Sequence, residues 1–139
     1  CTIVGTPGTD DAVALHYYDE VNRFVEENGL KGVVDVVGEK VYSVLPSMYQ
    51  RAHIFVNLSQ TGSLDKAVLE AMASGCQIVT SNEAFFPIVP PECHATLTPE
   101  SVADVIQRQL HSDASQDLRG IVVAQHSLSR LIDRIVSFY

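Results

Sequence analysis

Apolar positions along the chain follow two alternating periods, which predict short buried strands separated by longer amphipathic helices. The strand-like runs lie at 1–5, 33–38, 53–59 and 77–80, and a last short strand is predicted at 95–98. Helices are predicted at 11–28, 45–52, 64–74, 99–111 and 113–125, and a final helix follows Ser127. Strands that alternate with helices in this order favour a parallel sheet with helices on both faces, a Rossmann-like α/β fold.

The stretch from Ser59 to Ser81 is predicted to contain a loop, a helix, a turn and a buried strand in immediate succession. Ser63 is the expected N-cap of the helix, Asp65 lies in its first turn, and Gly75 ends it. One face of the helix is apolar and consists of Leu64, Ala67, Val68, Ala71 and Met72. Glu70 falls outside this face, either as part of a solvated surface paired with Lys66 or as a ligand-binding residue.

The loop before this helix, from Gln60 to Ser63, is short and built mostly of small residues. We therefore expect it to leave the unpaired N–H groups of the first helical turn open to an incoming phosphate. Glu70 would stand a turn or more behind that point. Because a carboxylate accepts hydrogen bonds and can take two hydroxyl hydrogens, Glu70 suits the diol of a ribose.

The same stretch resembles the nucleotide-sugar-binding motif of the family 4 glycosyltransferases of GT-B fold, in which a Glu, seven residues and a second Glu precede Ala-Met-Ala-x-Gly. Residues 70–75 match the second half of the motif, and residues 77–81 match the apolar strand that follows it. The first Glu is replaced by Gly62, and Gly-Ser-Leu-Asp-Lys stands where the family has a small-aromatic-small run.

The resemblance implies roles for these residues. It implies that Glu70 binds the ribose. It also implies that the diphosphate and sugar are bound by the backbone of Ser63, Leu64, Asp65 and Lys66. Gly62 occupies the position of the missing Glu, so the usual hold on the transferred sugar is altered there. No residue is assigned a catalytic role.

A second segment also resembles the family, with a glycine-containing loop, a Leu-Pro-x-x-Tyr helix and a strand that ends in Ser59. The resemblance implies that the backbone from Gly38 to Tyr42, which includes Val41, contacts the nucleobase. A connecting loop without a ligand is the alternative for any single residue of this segment. The loop at 81–93 is proline-rich and long for an α/β connection, which favours a functional loop or lid without regular structure.

A chain of 139 residues with 46% hydrophobic content is expected to form one domain, 1–139. It begins with Cys1, and the resemblance begins at the second strand of the family's domain. We therefore expect a piece of a longer protein that lacks the first strand-helix unit and the N-terminal acceptor domain. In whole enzymes of the resembled type the last helix crosses towards that domain, which would leave Phe138 and Tyr139 partly exposed; packing of this helix on the sheet is the alternative.

The composition of the chain limits the classes of partner that it can be expected to bind. The formal charge of −8 argues against a nucleic-acid surface, although backbone amides and one or two local cations are enough to bind a phosphate. Three cysteines without Cys-x-x-Cys spacing fit a reducing compartment, and neither a metal site nor a cofactor is predicted. No membrane span and no secretory leader is visible in the sequence.

The function implied by the resemblance is the donor-binding half of a retaining glycosyltransferase of hexosyltransferase type, acting in glycan biosynthesis. Its partners would be a nucleoside diphosphate sugar and the acceptor domain of the same polypeptide. We expect a cytoplasmic location, with membrane attachment only through other parts of the protein, and no activity from this piece alone. The alternatives are a degenerate transferase kept for binding, or a receiver-like signalling module, which would need an aspartate at the end of the third strand, where this chain has Asn57-Leu58-Ser59.

Overall fold

A computed structural model describes residues 1–8, 10–111 and 117–138. The chain divides into two compact units, Cys1–Leu45 and Pro46–Tyr139. The described strands are β1 (Thr2–Ile3), β2 (Asp35–Val36), β3 (Ile54–Asn57) and β4 (Gln77–Thr80). The described helices are α1 (Ala12–Glu27), α2 (Leu45–Arg51), α3 (Lys66–Ala73), α4 (Pro99–Leu110), α5 (Leu118–His126) and α6 (Leu128–Val136), with 3₁₀ turns at Tyr42–Val44, Glu83–Phe85 and Pro91–Cys93.

The first unit contains a parallel pair of strands and one long helix. β1 pairs with β2 through Thr2 opposite Asp35 and Ile3 opposite Val36. Helix α1 follows Asp11, whose carboxylate accepts hydrogen bonds from two N–H groups of the first turn, and it ends before Gly29, whose φ of 65° suits glycine. The predicted helix at 11–28 is confirmed, and the strands are shorter than predicted.

The second unit is built around a parallel pair, β3 and β4, with α3 as the connection between them. The pair runs in register from Ile54 opposite Gln77 to Asn57 opposite Thr80. Three residues of the predicted apolar face of α3, Val68, Ala71 and Met72, are completely buried in the core with Ile78 of β4. The α/β class and the parallel pairing are thus confirmed, and among the described residues the strands form two two-stranded sheets.

The start of α3 differs from the prediction. Asp65, with extended dihedral angles, is the N-cap, so the helix begins at Lys66 and not at Leu64. Ser63 lies outside the helix, because its carbonyl oxygen accepts a hydrogen bond from Asn82. Leu64 is 44% exposed and does not belong to the buried face. The predicted Ser63 N-cap is therefore wrong, and the helix is two residues shorter at this end.

The segment at 81–93 was expected to be a functional loop or lid without regular structure, and the expected lack of regular structure is wrong. It contains two 3₁₀ turns, Glu83–Phe85 and Pro91–Cys93. Phe85, Val89 and Cys93 are buried in the core of the second unit, so apolar burial anchors the segment. The strand predicted at 95–98 is reduced to one bridge, in which the Ala95 N–H donates to the Thr80 carbonyl oxygen at 2.9 Å.

The last helices begin at residues whose side chains cap them. Ser127 caps α6, as predicted, and Thr98 caps α4, each through its side-chain oxygen. Residues 113–116 of the predicted helix at 113–125 lie outside the described residues, and α5 covers its remainder. The apolar stripe of α6 is 50–71% exposed, at Leu128, Leu131, Ile132, Ile135 and Val136. Packing of this stripe on the sheet is therefore not observed; Phe138 is exposed as expected, and Tyr139 lies outside the described residues.

Candidate functional site

Polar side chains gather where β3 and β4 end. Asn57 is the last residue of β3, Thr80 is the last residue of β4, and the two lie opposite each other in the register. Asn82 follows two residues after Thr80 and is only 1% exposed. Because the carboxyl ends of parallel strands meet at one edge of a sheet, this is the edge at which α/β proteins bind ligands.

These side chains form a continuous hydrogen-bond network. Thr80 Oγ1 donates to Asn57 Oδ1 at 3.2 Å, and Asn57 Nδ2 donates to Asp65 Oδ2 at 2.9 Å. Asn82 Nδ2 donates to the Ser63 carbonyl oxygen at 2.9 Å and, at 3.4 Å, to the same carboxylate oxygen of Asp65. The two strand ends therefore hold the loop that leads into α3, and the buried amides find partners as buried polar groups usually do.

The loop that leads into α3 also contains hydrogen bonds of its own. The hydroxyls of Ser59, Thr61 and Ser63 form a chain, with oxygen separations of 3.0 Å and 2.9 Å. Gly62 has a φ of 66°, a left-handed conformation that other residues adopt only at a cost, although a Cβ there would meet nothing within 4 Å. The replacement of the motif's first Glu by Gly62 thus coincides with a backbone that favours glycine.

The entrance to α3 is open to solvent. Residues 61–64 and Lys66 are exposed, and Asp65 is half-buried. Asp65 makes no side-chain capping bond, and its backbone carbonyl oxygen accepts from the Val68 N–H at 3.1 Å, so the N–H groups of Lys66 and Ala67 are left to other partners. This exposed helix end has the partial positive charge that attracts anions, and Lys66 adds a full positive charge beside it.

Glu70 lies four residues after Lys66, about 6 Å further along the helix axis at 1.5 Å per residue. It is half-buried at the side of α3, and Tyr49 Oη donates to its Oε2 at 3.4 Å. The Tyr49 ring packs edge-on against Phe55, with centroids 5.7 Å apart, and so is held in place by β3. The second unit thus brings together, at the start of α3 and one turn on, the predicted residues Gly62, Ser63, Leu64, Asp65, Lys66 and Glu70.

Gly38 and Val41, the residues predicted to contact a nucleobase, lie in the first unit. The Gly38 carbonyl oxygen accepts from the Gly5 N–H at 2.9 Å, and its φ of 66° is again left-handed. Val41 is largely exposed and stands before the 3₁₀ turn at Tyr42–Val44. The predicted loop is therefore capped by a short turn that the sequence did not indicate.

Sequence reasoning missed four residues that shape the site: Asn57, Thr80 and Asn82 in the network, and Tyr49 beside Glu70. Asn57 and Asn82 carried a signal, since each stands where a buried apolar run gives way to polar residues. Thr80 carried none, because a β-branched residue fits a buried strand equally well. Tyr49 belongs to the Leu-Pro-x-x-Tyr segment, but nothing in that segment alone indicates a contact with Glu70.

The chemistry open to this site is binding through amides and a carboxylate. Within residues 1–8, 10–111 and 117–138, no three His, Cys, Asp or Glu side chains group as a metal site would require. Burial raises the pKa of the Cys76 and Cys93 thiols, which keeps them protonated and unsuited to act as nucleophiles. None of the described helices combines the length and the apolar character needed to span a membrane.

Most of the chain matches a known protein family. The model of the family described as glycosyl transferases group 1 matches residues 1–112 of the 139. The match covers the two strand pairs, α3 and the whole hydrogen-bond network. No curated protein and no solved structure matches the chain.

Proposed function

The chain belongs to the group 1 glycosyl transferases, and we propose that it is the donor-binding part of a retaining enzyme that transfers a hexose from a nucleoside diphosphate sugar. The acceptor is held by a separate domain of the same polypeptide. This proposal rests on one observation. The start of α3 is exposed and its N–H groups receive no hydrogen bond from the side chain of the N-cap residue, and Glu70 lies half-buried one turn behind it.

The diphosphate is assigned to the entrance of α3. As the sugar leaves, negative charge grows on the diphosphate, and a helix N-terminus stabilises that charge with oriented amides. The backbone of Ser63, Leu64 and Asp65 and the first helical residue, Lys66, present these amides in an exposed loop. Lys66 adds a local cation in a chain whose net charge is −8.

The ribose is assigned to Glu70. A carboxylate can accept several hydrogen bonds, so the bond from Tyr49 is compatible with a diol on the same group. Tyr49 restricts the carboxylate to one side of α3, and such a fixed acceptor loses less freedom when a ligand binds. The nucleobase contact at Gly38 and Val41 stays a prediction of the family resemblance.

Titration of the ¹⁵N-labelled chain with UDP, GDP and ADP tests this function. We expect one of the three to shift the amide signals of residues 63–70, and the one that does so names the base. The signals of α6, which contributes no residue to the network, serve as the internal control. If none of the three shifts the signals of residues 63–70, the donor-binding function is refuted.

The same proposal predicts that residues 1–139 by themselves transfer no sugar, because it places the acceptor on a separate domain. Turnover of any nucleoside diphosphate sugar to a glycoside by the purified chain would contradict this. We further expect a cytoplasmic enzyme of glycan biosynthesis, in keeping with three free cysteines.

A degenerate transferase that only binds or scaffolds is the second candidate, and Gly62 favours it. The left-handed φ of Gly62 stands where the family motif has a Glu, so the usual contact with the transferred sugar is absent at this position. Binding of the free nucleoside diphosphate and of its sugar conjugate with equal affinity is expected for the degenerate form. Tighter binding of the conjugate is expected for an active donor site.

A further inference from the structure

We propose that Asn82, together with Asn57, is a positioning residue that keeps the entrance of α3 open for the diphosphate by holding the Asp65 carboxylate away from it. The proposal rests on the function proposed above. It concerns how the site is kept available, and it gives roles to two amides that the family motif does not include.

Asp65 would otherwise close this site. It occupies the N-cap position with φ −72° and ψ 121°, the extended geometry from which an aspartate normally accepts hydrogen bonds from the second and third N–H groups of its helix. In α3 these belong to Ala67 and Val68, and the Val68 N–H already donates to the Asp65 carbonyl oxygen at 3.1 Å, which leaves the Ala67 N–H as the group that the carboxylate could take. The Asp65 side chain makes no such bond, whereas the caps of α1, α4 and α6 all make theirs.

The reason lies in the two asparagines. Asn57 Nδ2 and Asn82 Nδ2 both donate to Oδ2 of Asp65, at 2.9 Å and 3.4 Å, and so draw the carboxylate towards the strand ends. Two amide donors stabilise the negative charge without a cation. An aspartate released from them would be free to cap α3 through the Ala67 N–H, and its negative charge would then lie at the helix entrance and repel an anionic ligand.

Asn82 is itself held firmly. Its Oδ1 accepts from the Ala84 N–H at 3.1 Å, and its own N–H donates to Thr80 Oγ1 at 3.0 Å. The side chain is 1% exposed, so its amide has little room to rotate. Its Nδ2 also donates to the Ser63 carbonyl oxygen, which fixes the loop on the other side of Asp65.

The test compares Asn82→Ala, Asp65→Ala and the double variant, with the nucleoside diphosphate that binds the unmodified chain as the probe. We expect Asn82→Ala to weaken binding about tenfold, the effect of losing one or two hydrogen bonds. Adding Asp65→Ala to it should restore the affinity to that of Asp65→Ala alone. A purely structural role predicts no such rescue, because removing a second side chain would only add to the damage.

Gln109→Ala is the matched control, since it deletes a part-buried amide of the same unit that donates to the Ile78 carbonyl oxygen at 2.8 Å. It should leave the affinity unchanged. If Asn82→Ala does not fold, Asn57→Ala replaces it, with the same expected loss and the same rescue. Equal affinities for Asn82→Ala and the unmodified chain, or additive losses in the double variant, would overturn the proposal.

A measurement without nucleotide separates this proposal from the donor-binding function. In Asn82→Ala the amide signal of Ala67 should shift as Asp65 caps the helix, and the shift should vanish in the double variant. If no nucleotide binds but this pattern appears, the donor-binding function fails and the control of Asp65 by Asn82 holds. If nucleotide binds and the pattern is absent, the positioning role alone is refuted.

Discussion

Glu70→Gln tests the proposed ribose contact most directly, because it removes the charge of the side chain and keeps its volume. A glutamine carbonyl oxygen still accepts the bond that Tyr49 Oη now makes to Oε2 at 3.4 Å. Glu70 lies outside the completely buried residues of α3. We therefore expect the free energy of unfolding to change by no more than about 0.5 kcal/mol, as for most substitutions outside the core.

The expected loss of affinity follows from the change in acceptor. A hydrogen bond to a charged group contributes about 1.5–3 kcal/mol and one to a neutral group about 0.5–1.5 kcal/mol. Two ribose hydroxyls would thus lose about 2–3 kcal/mol together if solvent screened nothing. Because Glu70 is half-buried and solvent screens part of its charge, we expect about half of this loss, which is about a five- to tenfold loss of affinity.

Calorimetric titration with a ribonucleoside diphosphate and its 2′,3′-dideoxy counterpart measures this contact. The unmodified chain should bind the ribose form more tightly, and Glu70→Gln should lose most of that preference while binding the dideoxy form as before. Glu100→Gln, an exposed acid in the first turn of α4, is the control and should behave like the unmodified chain. A Glu70→Gln chain that keeps the full preference for ribose would refute the assignment.

Two further predictions concern the conformation around the site. Phe85→Ala should lower the free energy of unfolding, measured by urea denaturation, by about 3–5 kcal/mol, because Phe85 is completely buried. The control Phe138→Ala should change it little, because Phe138 is 84% exposed. A loss below about 1 kcal/mol in Phe85→Ala would mean that the segment at 81–93 is not anchored. Gly62→Ala should lower the free energy of unfolding by about 1 kcal/mol, because the φ of Gly62 is 66°, in the left-handed region. Gly8→Ala is the control, because Gly8 has open space around it and no left-handed φ. Equal stabilities of the two variants would show that the loop before α3 relaxes freely.

The geometry of the site depends on the hydrogen-bond network at the ends of β3 and β4 as well as on the residues of the motif. The motif supplies α3 and Glu70, but the position of Asp65 is set by Asn57 and Asn82, which come from the strand ends. Changes in these two amides should therefore alter ligand binding without touching a residue of the motif.

The errors at α3 and at 81–93 have one physical cause. Ser63 and Asp65 are both good N-cap residues, and local sequence does not distinguish between them. The N-cap is decided by Asn82, which is 19 residues from Ser63 and whose side-chain amide donates a hydrogen bond to the Ser63 carbonyl oxygen. In the same way, prolines in a loop do not reveal that Phe85 is buried by packing against the core of the second unit.

The sequence by itself determined the α/β class, the positions of most helices and the likeness to the glycosyl transferases, because caps, glycine stops and apolar periods act between residues within one or two turns. Only the tertiary structure decided the start of α3, the hold on Asp65 and the contact between Tyr49 and Glu70. These contacts join residues 8 to 21 positions apart, and they exist only because the register of β3 and β4 and the packing of α2 and α3 bring them within hydrogen-bonding distance.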